Sequence, residues 1–165
     1  IEESSVQSLA RLQAYRIAYG VVYTDDAMAD LKEVKEIFKR FFHKSQIELR
    51  WNSSTPEDIE SYKRRILIGM ILTAARILIY GGKISASFQG DDNSKITVKS
   101  TSEKFKEPQI VKQILMNEGE VEPDVENIPY FFIRETAAKH GIKINFDYTD
   151  AEEQKEVLFV AEFAK

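Results

Sequence analysis

The chain has 165 residues, 43% apolar and 30% charged, with a net charge of −4. These values describe a globular domain large enough for a real core, and they give no reason to expect nucleic acid or an anionic membrane as its main partner. Cysteine is absent, which excludes a disulfide framework and a thiol nucleophile and argues against structural zinc; a cytoplasmic setting fits.

Residue 1 is Ile rather than Met, and no basic stretch precedes an apolar one, so no signal peptide is read. Residues 4–22, "SSVQSLARLQAYRIAYGVV", predict a first helix whose apolar positions leave only narrow polar strips. A helix so apolar needs more than one neighbour, and a partner helix, a second subunit or both are expected to complete its packing. Asp25 and Asp26 are expected to cap a second helix over 26–44, striped by Met28, Leu31, Val34, Ile37, Phe38 and Phe41. "QIELRW" (46–51) alternates with period two and predicts a strand.

The run "ILIGMILTAARILIYGG" (66–82) admits three readings: a membrane span, a buried helix, or the wall of a nucleotide pocket. A span needs about 20 apolar residues. This run is shorter, Arg76 interrupts it, and the charged "EDIESYKRR" (57–65) precedes it. Thr55 as cap, Pro56 in the first turn, and the acids Glu57 and Asp58 predict one helix over 56–80, wet in its first half and buried in its second. No transmembrane segment is predicted.

"KISASF" (83–88) and "KITVKS" (95–100), joined by "QGDDNS", predict a hairpin. "PQIVKQILMN" (108–117) predicts a short helix, and Pro123–His140 another, stopped by Gly141. "IKINFDY" (142–148) and "EVLFVAEF" (156–163) close the chain as two alternating strands around "TDAEEQK". The order α-α-β-α-β-β-α-α-β-β predicts an α+β fold, a mixed or antiparallel sheet with helices on one face. A soft boundary near 43–47 divides a helical segment (1–45) from an α/β sandwich (46–165).

Few residues carry obvious chemistry. His43 and His140 each end a helix, where an imidazole complements the dipole and needs no other role; neither has metal-ligand spacing to another His or to a carboxylate. The acidic clusters Asp25-Asp26, Asp91-Asp92 and Glu118–Glu126 read as solvated or capping groups, and Asp91-Asp92-Asn93 lacks the further ligands of a calcium loop. Of seven glycines only Gly81 and Gly82 adjoin, and they end a helix instead of opening one, so no phosphate cradle is present. No cofactor, no metal and no catalytic residue is assigned.

"LARLQAYRIAYG" (9–20), "ELRWN" (48–52), "YKRRILIGMILTAARILIYGGKISAS" (62–87) and "ENIPYFFIRETAAKHGIKINF" (126–146) resemble, in order and spacing, the ChpT-type histidine phosphotransferases of alphaproteobacteria. The resemblance covers nearly the whole chain. It implies a homodimer in which helical hairpins form a four-helix bundle. Each subunit then carries an α/β sandwich similar to a histidine-kinase ATPase domain that no longer binds ATP. It implies receiver domains of hybrid histidine kinases and of response regulators as partners, with a bundle histidine passing phosphoryl groups between receiver aspartates.

The glycine boxes of an active kinase are missing. Where the resemblance would place a magnesium-holding Asn, the chain has Ile66-Leu67-Ile68-Gly69. The apolar run is thus similar to a nucleotide-pocket wall without its ligand contacts. One departure stands out: there is no His-Asp dipeptide, since His43 precedes Lys44 and His140 precedes Gly141. The first helix matches the family's second bundle helix, so the phosphoacceptor helix is expected upstream, or else this member has lost it. Leu12, Tyr15, Arg16 and Tyr19, spaced by three and four, are expected to contact a receiver or the dimer mate, with bundle core as the plainer role for Leu12. Two further readings stand: a dimeric interaction module without phosphotransfer, and an ATP-dependent kinase, which would bind nucleotide.

Overall fold

The computed structural model describes residues 2–20 and 30–163. Helices α1 (Glu2–Tyr19) and α2 (Leu31–Phe41) lead into strand β1 (Ile47–Trp51) and the long helix α3 (Ser61–Ile77). Strands β2 (Gly82–Gln89) and β3 (Lys95–Thr101) form the expected hairpin, with Asp91–Asn93 as a 3₁₀ turn. Helices α4 (Pro108–Leu115) and α5 (Ile128–Lys139) precede the closing hairpin β4 (Lys143–Ala151) and β5 (Gln154–Glu162). The sheet order is β1-β2-β3-β5-β4. β1 runs parallel to β2 across the α3 crossover and every other pair is antiparallel. The α+β expectation holds, including the mixed sheet.

Alternation builds the layers. Ile84, Ala86 and Phe88 of β2, Ile96 and Val98 of β3, and Val157, Phe159 and Ala161 of β5 point inward and are buried. Their neighbours Lys83, Ser85, Lys99 and Glu162 face water on the opposite side. α3 lies on the inward face with Ile66, Leu67, Ile68, Met70, Ile71 and Leu72 all buried. Each such side chain gains about 1.5–3 kcal/mol by leaving water. Gly69 is part of the same contact: a Cβ there would lie 2.9 Å from Ile133 of α5. Past the helix end, Gly82 (φ 147°) brings backbone against β3, where a Cβ would meet the Thr101 carbonyl oxygen at 2.4 Å.

Several boundaries differ from those predicted, each for a local reason. α2 starts at Leu31, and its cap is Asp30, whose Oδ1 accepts from the Glu33 amide at 2.8 Å. Asp25, Asp26 and Met28 lie outside the described residues, as do Val21 and Val22 of the first predicted helix. α3 spans 61–77, not 56–80. Thr55 does not cap it, because its hydroxyl donates to the Asn52 carbonyl at 2.6 Å. Asp58 is committed elsewhere: its Oδ1 accepts from the amides of Leu31 (3.0 Å) and Ile59 (2.9 Å) and from Arg64 (2.9 Å). One carboxylate therefore fastens the start of α2 to the start of α3.

The first turns of α3 are not wet either. Lys63 is 4% exposed; its ammonium donates to the Asp92 carbonyl (2.9 Å) and pairs with Glu60 (3.1 Å). α5 starts at Ile128 because the preceding residues form their own turn. Asp124 accepts from the Glu126 and Asn127 amides, and Asn127 returns a bond by accepting from the Asp124 amide at 2.7 Å. Among the described residues no helix is long and apolar enough to cross a membrane.

Candidate functional site

Helix α1 lies on α2 and α3 through an alanine stripe: Ala10, Ala14 and Ala18, four residues apart, are all buried. Small side chains let the backbones approach closely, and they leave the larger residues on the other flank. Its last turn is tied to the sandwich by Arg65 of α3, which donates to the Ile17 carbonyl at 3.2 Å and to the Gly20 carbonyl. The guanidinium thus satisfies carbonyls that a helix end would leave orphaned.

The four residues singled out in sequence separate under this packing. Leu12 is 68% exposed, and Arg16 lies in solvent one turn along. Tyr15 is 40% exposed, edge-on to Phe41 at 6.5 Å and stacked on Tyr19 at 6.2 Å. Tyr19 turns inward: its ring meets Phe132 of α5 edge-on at 5.6 Å, and burial pushes its hydroxyl well above the ordinary tyrosine range. Leu12 and Arg16 hence stand on one open face, Tyr15 borders it, and Tyr19 anchors the helix. Leu9, 58% exposed, belongs to the open face as well; three residues before Leu12 and seven before Arg16, it was detectable from spacing alone.

A second feature is the cleft between the end of α3 and the start of α5. It holds about 160 Å³. Arg76, the charge inside the apolar run, lies over the Tyr130 ring at 5.2 Å. The Tyr130 hydroxyl is pushed upward by burial, with Arg76 pulling the other way. Asn127, also at the cleft, is buried and spends its amide on the Glu122 carbonyl (3.1 Å) and the Asp124 amide. Lys106 closes one side through its backbone bond to the Ile77 carbonyl at 2.9 Å. Of the residues at this cleft, the sequence singled out Arg76, while Asn127 and Tyr130 lie in the segment 126–146 without a motif of their own to mark them.

Neither histidine lies on α1. His43 follows the end of α2, and His140 caps α5 with its ring stacked on Tyr62 at 5.3 Å. Among the described residues no group of three or more His, Asp and Glu side chains is placed to hold a metal ion.

Comparison with known proteins gives a consistent result. The family described as histidine phosphotransferase C-terminal domain matches residues 31–152. Protein phosphotransferase ChpT of Brucella abortus (strain 2308) is 23% identical over 166 residues, covering 98% of this chain and 76% of that protein. The structure of a bacterial phosphotransferase superposes with a TM-score of 0.79 at 21% identity, covering 98% of this chain and 76% of the other. The nucleotide-free catalytic domain of histidine kinase ThkA superposes with a TM-score of 0.57 at 18% identity, covering 84% of this chain and 97% of that one. At these identities the two structures bear on the fold alone.

Proposed function

The chain belongs to the histidine phosphotransferase C-terminal domain family, and on that premise we propose that it relays phosphoryl groups between receiver domains of hybrid histidine kinases and response regulators, as a homodimer and without ATP. In this reading residues 1–45 are one arm of a four-helix bundle and 46–165 the sandwich that carries it. Transfer between a histidine and a receiver aspartate asks little covalent chemistry of the protein; the receiver brings its own aspartate and magnesium, and the relay supplies position. A docking face is therefore the feature to look for. The observation that carries the proposal is the open face of α1, where Leu9, Leu12 and Arg16 are exposed on a helix otherwise fastened by Ala10, Ala14, Ala18 and Arg65. An apolar strip bordered by a cation suits both a bundle partner and the acidic surround of a receiver's active site.

The Arg16→Glu variant is expected to bind a phosphorylated receiver roughly tenfold more weakly, with helix content unchanged by circular dichroism. Receiver affinity equal to that of the parent protein would overturn the role given to this face.

Independence from ATP rests on α3: where the resemblance would place a metal-holding amide, the helix has Ile66, Leu67 and Ile68, all buried. Calorimetric titration with ATP and magnesium is expected to give no saturable heat; a stoichiometric isotherm would restore the kinase reading.

A second reading, a dimeric interaction module without transfer, is favoured by the placing of His43 and His140 off α1. Incubation of the full-length protein with a phosphorylated receiver separates the two. Acid-labile phosphate on the protein supports the relay, and its absence the module.

A further inference from the structure

The sheet has two edges, and they are treated differently. Along β4, the Phe146 amide donates to the Met116 sulfur at 3.4 Å and Lys112 of α4 pairs with Asp147 at 3.2 Å, so the end of α4 lies across that edge. β1, the opposite edge, has only its first residue occupied among the described residues: Ser45 Oγ accepts from the Ile47 amide (3.0 Å) and donates to the Ile47 carbonyl (3.1 Å). The Gln46 carbonyl accepts from Gly82, and the Asn52 amide donates to Ala86. In a parallel ladder alternate residues bond the same neighbour. The even-numbered residues of β1 therefore face β2, and Leu49 and Trp51 direct their amides and carbonyls outward. Such an edge is a template for another strand unless something blunts it.

Beside this edge runs a groove of about 520 Å³ between α2 and β1. Phe38, Phe42, Leu49 and Trp51 line it. Lys35 lies over the Trp51 ring at 5.5 Å, and Lys39 follows one turn later. Neither ammonium has a carboxylate within ion-pair distance among the described residues. Of the two acids at the rim, Glu48 is engaged by Arg50 at 2.8 Å, and Glu36 also lines the adjoining hollow that holds Lys32 and Arg40.

We propose that this edge binds an extended acidic segment of a partner protein by strand addition. The incoming backbone pairs with the outward amides and carbonyls of Leu49 and Trp51. A bulky apolar side chain enters between Phe38, Phe42 and Trp51, and two carboxylates further along the same face, two residues apart from one another, meet Lys35 and Lys39. The spacings agree: residues two apart on a strand are separated by about 6.6 Å, and residues four apart on a helix rise about 6 Å. Backbone pairing supplies affinity and the alternate side chains supply selectivity. This surface is separate from the open face of α1, so it stands or falls independently of the relay.

Trp51 is the only tryptophan in the chain, and its fluorescence reports directly on the groove. The probe is the capped peptide acetyl-Thr-Leu-Thr-Glu-Thr-Glu-Thr-amide. A saturable change in Trp51 emission is expected. Methylating the peptide amides that face β1 is expected to weaken binding at least about tenfold, as is the Lys35→Glu/Lys39→Glu variant, and a peptide with lysines in place of its glutamates is expected to recover binding to that variant. The recovery excludes misfolding as the cause. No saturable change, or binding indifferent to N-methylation, would overturn the proposal. So would a Trp51 signal and a sedimentation coefficient that both rise with protein concentration in the absence of peptide, since a second copy would then hold the edge.

Discussion

Helix α3 buries Ile66, Leu67, Ile68, Met70, Ile71 and Leu72 around its circumference, whereas α1 buries Ala10, Ala14 and Ala18 and leaves Leu9 and Leu12 in solvent. In sequence both helices are apolar on nearly every side. The difference lies in what surrounds them. α3 has the sheet beneath it, α5 beside it and α1 above, so each large side chain finds a wall. Among the described residues α1 packs chiefly on the flank of Ala10, Ala14 and Ala18, with Tyr19 added at its end. Hydrophobicity all round a helix thus marks either a centre that the chain itself supplies or a surface awaiting something else, and only the size of the residues on the packed flank tells them apart.

Three measurements test that contrast. The largest effect belongs to α3: Leu67→Ala should lower unfolding free energy by about 2–5 kcal/mol, since Leu67 is fully buried and the cavity cannot collapse among branched neighbours. Chemical denaturation reads it, and a loss below about 1 kcal/mol would mean that α3 is less enclosed than described. An intermediate effect belongs to the junction that Asp58 makes between α2 and α3. Desolvation works against its charged form, but the amides of Ile59 and Leu31 and the Arg64 guanidinium outweigh it and hold the carboxyl below the usual range. A depressed carboxyl stabilises the fold above its unfolded value and loses that contribution as pH falls through the folded one. Asp58→Ala should therefore cost about 1 kcal/mol at neutral pH, the gap to the parent narrowing once pH drops below about 4. A constant gap across that range would assign the loss to packing instead of charge. The smallest effect belongs to α1: Leu12→Ser should move monomer stability by less than about 0.5 kcal/mol. A loss as large as that of Leu67→Ala would show that the open face is covered in solution, which sedimentation at several concentrations would then trace to a second copy.

Much of this was legible in the residues. The β2–β3 and β4–β5 hairpins follow from "KISASF"/"KITVKS" and "IKINFDY"/"EVLFVAEF", because period-two alternation is a local signal that the pleat reads directly. Caps were less legible. Asp25-Asp26 and Thr55-Pro56 carry the right chemistry, yet Asp30 caps α2, and Thr55 and Asp58 bond to other partners. Several acids stand near each helix start; Asp30 is taken by an amide three residues on, whereas Asp58 is drawn off by the Leu31 amide, 27 positions away. Of the candidate contact residues, Leu12 and Arg16 proved open, Tyr15 bordering, and Tyr19 packed on Phe132, a residue more than a hundred positions away.

The sequence by itself determined the kinds of element and their order, since hydrogen-bonding period and turn chemistry act over a few residues. It also set the apolar character of α1 and α3. The tertiary structure alone decided the strand order, with β5 inserted between β3 and β4, the flank on which α1 rests, the meeting of Arg76 with the Tyr130 ring, and the contrast between a guarded β4 edge and an open β1. Those outcomes depend on how volumes and buried polar groups are satisfied together across the whole chain, and no window along the sequence contains that sum.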